Sequence, residues 1–129
     1  MKKIVMDVGN CRGDHALLAM MLRSHFDADA VRAADADEAM DALETNSIDL
    51  VLVNRVLDDD RSEGIDLVRH LKADPKWARI PVMLISNYPE AQEAAVAAGA
   101  AKGFGKDDLE SPETVRLLGA FLSRLDGTK

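Results

Sequence analysis

Four side chains of different chemistry stand where apolar runs of this sequence end: Asp7 after Lys3-Ile-Val-Met, Asn54 after Asp49-Leu-Val-Leu-Val, Ser86 after Val82-Met-Leu-Ile, and Lys106 after Ala101-Lys-Gly-Phe-Gly. A carboxylate, an amide, a hydroxyl and an ammonium brought to one edge would form a polar pocket with both donors and acceptors. The expected pairing is Lys106 with Asp7, with Asn54 adding hydrogen bonds, so that the pocket holds one resting conformation. Whether the four meet depends on the elements that carry them.

Those elements alternate. Short apolar runs rich in β-branched residues are separated by longer segments of helical period, five times over, which predicts parallel strands joined by crossover helices. The strands are expected at 3–7, 30–34, 49–53, 82–85 and 101–105, the third and fourth fully buried. Asp14 is a cap candidate for a helix through Leu17, Leu18, Met21 and Leu22, and Asp35 with Glu38 has capping-box spacing before Met40 and Leu43. A third helix carries Ile65, Leu67, Val68 and Leu71 on one side, and an Ala-rich fourth ends at Gly99, suited to a left-handed stop. Ser111 and Pro112 start a fifth, whose apolar stripe is read as continuous through Val115, Leu118, Phe121, Leu122 and Leu125. The fold class is therefore α/β, a doubly wound parallel sheet with helices on both faces, formed by residues 1–129 as one domain. In such sheets ligands gather at the carboxyl ends of the strands, where the four polar residues fall.

The 129 residues are 47% hydrophobic and 30% charged, an ordinary globular composition long enough for one core. The formal charge of −7 opposes contact with nucleic acid or an anionic membrane, and no apolar run is long enough to span a bilayer or to form a leader, so a cytoplasmic location is expected. Cys11, the lone cysteine, reads as a plain thiol. Asp58-Asp59-Asp60 reads as a solvated turn before it reads as a metal site; His15, His25 and His70 lack ligand spacing and default to surface or helix-end positions. Arg12-Gly13-Asp14 is a chance tripeptide match, Met20-Met21 reads as core, and Trp77 as a cover before the fourth strand.

Taken in order, the run ending at Asn54, Gly64 before an amphipathic helix, Ile80-Pro81-Val-Met-Leu-Ile-Ser86, Ala98-Gly99-Ala100 and Lys106 resemble the receiver domain of two-component response regulators over essentially the whole chain. The resemblance implies a flavodoxin-like sheet of order 2-1-3-4-5. It also places Asn54 at the position of the phosphoacceptor aspartate and Asp7-Val8 at that of an acidic pair that helps to hold Mg²⁺. An amide is a poor nucleophile and a weaker ligand than a carboxylate, so phosphorylation at this position is not expected and Mg²⁺ binding should be weak or absent, with no other cofactor. Ser86 and Lys106 keep the hydroxyl and ammonium that the family uses on the phosphoryl group. Gly103 stands at the usual aromatic switch position, and Phe104, one residue on, should face the core.

The implied function is that of a stand-alone, non-enzymatic pseudo-receiver that acts by binding a signalling partner such as a histidine kinase, a regulator or another receiver. A homodimer through the last helices and fifth strand is a further expectation, and no output domain is expected beyond the fifth helix. The alternative is a flavodoxin-like small-molecule or nucleotide binder using the Ser86 and Lys106 edge, against which stands the lack of a glycine-rich phosphate loop after the first strand.

Overall fold

A computed structural model describes residues 2–125. Five strands, β1 (Lys3–Val8), β2 (Ala28–Ala33), β3 (Leu50–Asn54), β4 (Val82–Ile85) and β5 (Ala101–Phe104), alternate with helices α1 (Arg12–His25), α2 (Ala36–Thr45), α3 (Gly64–Ala73), α4 (Pro89–Ala97) and α5 (Pro112–Gly119). All strand pairs are parallel and the order is β2-β1-β3-β4-β5, as the resemblance implies.

The two-residue period of the strands divides the core. Val51 and Val53 of β3 join Met6, Val8, Val82 and Leu84 under α2, α3 and α4. Leu50 and Leu52 join Val5, Met83, Ile85 and Phe104 under α1 and α5. β3 and β4 are buried throughout their apolar runs, and burial of each Val, Leu or Ile side chain contributes about 1.5–3 kcal/mol. Trp77 packs against the first of these clusters, as expected of a cover.

Two helices depart from the expected ends, α1 and α5. Asp35 caps α2 by accepting from the Glu38 N–H at 2.9 Å, while Glu38 reaches back to the Ala34 N–H at 2.8 Å. Gly99 stops α4 with φ of +109°. The α1 cap, however, is Cys11, whose Sγ accepts from the Asp14 N–H at 3.5 Å; Asp14 itself lies inside the first turn, where its carboxylate favours the helix dipole and is free to bond elsewhere. The second exception is α5, which begins with Ser111 and Pro112 as expected but ends at Gly119. Phe121, Leu122 and Leu125 are not on the helix. Leu122 is buried, Leu125 is exposed, and Arg124 forms an antiparallel bridge with Phe26. The Asp27 N–H donates to the Ser123 carbonyl and the Leu125 N–H to that of His25, so pairing with the segment between α1 and β2 takes the backbone out of the helix. The apolar period was right about burial only as far as Leu122.

Other expectations also divide. Met21 is buried but Met20 is exposed on α1. The strand expected at 30–34 begins two residues earlier, and that expected at 101–105 ends at Phe104. No helix among the described residues is long and apolar enough to cross a membrane.

Candidate functional site

The carboxyl ends of β1, β3 and β4 and the 3-10 turn Lys106–Asp108 after β5 define one polar edge, in two parts. The first is closed. Asp7 shares its face of β1 with Val5 and so faces α1, where it is fully buried. Its Oδ1 accepts from Asn10 Nδ2 at 2.7 Å, and its Oδ2 lies 2.8 Å from His15 Nδ1, one turn into α1. Burial pushes the Asp7 carboxyl above the usual carboxylate range, outweighing the opposite pull of the His15 and Asn10 hydrogen bonds and of the His15 and Lys106 charges. Val8, on the other face of the strand, is buried in the core beneath α2, α3 and α4 and does not share a site with Asp7.

The second part is open. Asn54, Arg55, Ser86, Asn87, Tyr88 and Lys106 line a cavity of about 200 Å³ to which Asp7 does not contribute. Asn54 Nδ2 donates to the Val56 carbonyl at 2.8 Å and, more weakly, to that of Gly9 at 3.4 Å, tying the end of β3 to the loops on either side. The α3 start packs closely there: a Cβ on Gly64 would stand 2.1 Å from the Asn54 carbonyl oxygen. Ser86 Oγ accepts from the Tyr88 N–H at 3.1 Å, leaving its own proton available to the cavity. The Arg55 guanidinium lies over the Tyr88 ring at 5.0 Å from its centroid.

Lys106 corrects the expected pairing. Its Nζ donates to Asp14 Oδ2 at 2.7 Å, and Asp7 is instead partnered by His15 and Asn10. The cause is the position of Asp14 in the first turn of α1, where it is part-exposed and within reach of Lys106, while Asp7 is buried with both oxygens already used. The Lys106 hydrogen bond holds the Asp14 carboxyl below its usual range, although both partners are about two-fifths exposed.

The structure therefore gathers Asn54, Ser86 and Lys106 around one cavity and sets Asp7 and Val8 apart from it. His15, Asn10, Asp14 and Arg55 are site residues that the sequence reading did not identify. Strand parity was the available signal for His15, since Asp7 and Val5 share the face that α1 covers. Asp58-Asp59-Asp60 forms an exposed turn, with Asp60 accepting from the Ser62 backbone and hydroxyl. His25 lies 3.5 Å from Glu110. Phe104 is buried, as expected, and Gly103 stands where an added Cβ would meet the Leu84 carbonyl oxygen at 2.1 Å, so no aromatic side chain fits at that position in this arrangement.

A sheet of this order with this polar edge is the receiver fold, and solved receiver structures superpose on it. They include the receiver domain of NtrX from Brucella abortus (TM-score 0.68, 24% identity, 92% of this chain and 93% of that one). The phosphorylated cyanobacterial phytochrome response regulator RcpA matches at TM-score 0.71 and 20% identity, over 95% and 99% of the two chains. The Mn²⁺-bound form of response regulator Rcp1 matches at 0.68 and 17%, over 92% and 90%. At these identities the likeness is one of fold. No family model matches the sequence, and no curated protein does.

One neighbour carries Mn²⁺, but the donors at this edge are differently placed. Both oxygens of Asp7 are engaged, its neighbour in sequence is an apolar residue on the opposite face, and Asn54 turns its amide nitrogen to backbone carbonyls. No group of three or more His, Cys, Asp or Glu among the described residues could hold a metal ion. These residues do not fit a hard divalent cation, which takes several oxygen ligands.

Proposed function

We propose that this chain is a single receiver-like signalling domain that is not phosphorylated at position 54 and that acts by binding another protein. The observation that carries this reading is Asn54 itself: an amide at the end of β3, hydrogen-bonded to the loop after it, in place of a nucleophile. The closed cluster around Asp7 supports it, since phosphoryl transfer to a carboxylate is a reaction of concentrated negative charge and the metal that would neutralise that charge has no complete set of ligands. Mg²⁺ therefore binds weakly, and the domain is not an enzyme. With no chemistry at the edge, specificity lies in the helix surfaces, and the partner class is a signalling protein: a histidine kinase, another regulator or a second receiver.

Intact-mass analysis after incubation with Mg²⁺ and acetyl phosphate tests this. The native protein should gain no mass, beside Asn54→Asp as the acceptor-bearing control. A gain of about 80 Da by the native protein, the mass of one phosphoryl group, overturns the reading.

A further inference from the structure

α4 buries few side chains against the sheet. Only Ala95 of its nine residues is buried, whereas α3 buries Gly64, Leu67, Val68 and Leu71. Besides the small apolar contacts of Ala91 and Ala95, a polar side chain joins α4 to the sheet. Gln92, one turn into the helix and half-buried, reaches back across the ends of β4 and β5. Its Nε2 donates to the Leu84 carbonyl at 2.9 Å and to the Ser86 carbonyl at 3.1 Å, with a longer approach to that of Phe104 at 3.5 Å, and its Oε1 accepts from the Gly103 N–H at 3.0 Å.

The sheet is irregular where Gln92 lands. Met83 pairs with Ala101 but Ile85 with Phe104, so β5 carries one residue more than β4 between the two pairs. An extra residue of this kind breaks the ladder and leaves backbone groups to be satisfied by other means. The Gln92 amide supplies both halves, a donor for Leu84 and an acceptor for Gly103, as a short piece of backbone would. The fit also depends on glycine, because a side chain at Gly103 would collide with the Leu84 carbonyl that Gln92 binds. Gln92 also lines an open groove of about 800 Å³ between α4 and β5, beside Tyr88, Val96, Lys102 and Phe104.

We propose that Gln92 is a positioning residue that locks α4 onto the irregular β4–β5 junction in one arrangement, so that the groove wall has a fixed shape and does not switch. Any use of that groove by a partner rests on the function proposed above; the lock does not, and acetyl phosphate labelling leaves it untouched.

Hydrogen exchange and NMR relaxation dispersion on the full chain, native and Gln92→Met, test the lock. Methionine keeps the length of the side chain and removes its donor and acceptor. In the native protein the Gly103 amide should be protected, and residues 86–104 should show no millisecond exchange. In Gln92→Met the Gly103 amide should exchange about tenfold faster, as the loss of a net hydrogen-bond contribution implies, and millisecond exchange should arise in α4 and β5 while β1 to β3 keep native spectra. An unchanged Gly103 rate in the variant overturns the proposal. Millisecond exchange across α4 and β5 in the native protein does so as well, and needs no variant to fold.

Discussion

The two halves of the polar edge handle charge in opposite ways. Around Asp7 the carboxylate is fully buried and each oxygen has one partner inside the fold, His15 or Asn10. Around Lys106 the ion pair with Asp14 is two-fifths exposed and borders an open cavity. The closed half holds its carboxylate inside the fold, whereas the open half brings a hydroxyl, an ammonium and a guanidinium to an open cavity. A charge out of water is costly to leave alone, and a pair in water is worth little. The closed half should therefore govern stability and the open half surface recognition.

The largest effect expected from breaking this contrast is that of His15→Ala. It leaves Asp7 Oδ2 buried without a partner and should destabilise the fold by about 2 kcal/mol or more at neutral pH, read from urea denaturation. A loss close to zero would mean that water reaches Asp7 and that the cluster is not closed. Adding Asp7→Asn should recover most of the loss, since the remaining amide needs no counter-charge.

Asp7→Asn alone sharpens the comparison through pH. Because burial raises the folded-state pKa of Asp7 above 3.8, its contribution to stability is fully present below 3.8 and is lost as pH rises through the raised value. The variant lacks that loss. It should match the native protein in acid and exceed it at neutral pH, by on the order of 1 kcal/mol. A gain confined to acid would reverse the sign and refute the assignment of burial as the dominant cause.

The smallest effect is expected at the open half. Asp14 has a lowered folded-state pKa, so the stability it contributes is present above 3.8 and is lost as pH falls through the lowered value. Solvent screening reduces it, and Asp14→Asn should cost no more than about 0.5 kcal/mol, shrinking further in high salt. A cost as large as that of His15→Ala would abolish the distinction between the halves.

Much of this could be read from the sequence because the strands carry strong local signals. β4 lies at its expected bounds, and β3 within one residue of them, since apolar runs of Val, Leu and Ile flanked by polar residues leave few alternatives. The sites of failure are those where distant contacts decide. The apolar stripe from Val115 to Leu125 has helical spacing, yet Gly119 weakens the helix and pairing with residues 25–27 claims the backbone beyond it. Asp14 has a cap's chemistry, but Cys11 takes the cap and leaves the carboxylate for a lysine just after β5. Gln92, a single amide among alanines, gave no signal, because the carbonyls it satisfies exist only once β5 is out of register with β4.

The bridge between Phe26 and Arg124 bears on how the chain folds. Its two sides are separated by roughly a hundred residues, and closing so long a loop carries a conformational-entropy cost that grows only slowly with length but must be met before the contact forms. The crossover units from β1 to β5 each close over far shorter distances. The bridge should therefore form late and break early, and the amides of Asp27 and Leu125 should open to solvent by fraying, without waiting for the sheet to unfold.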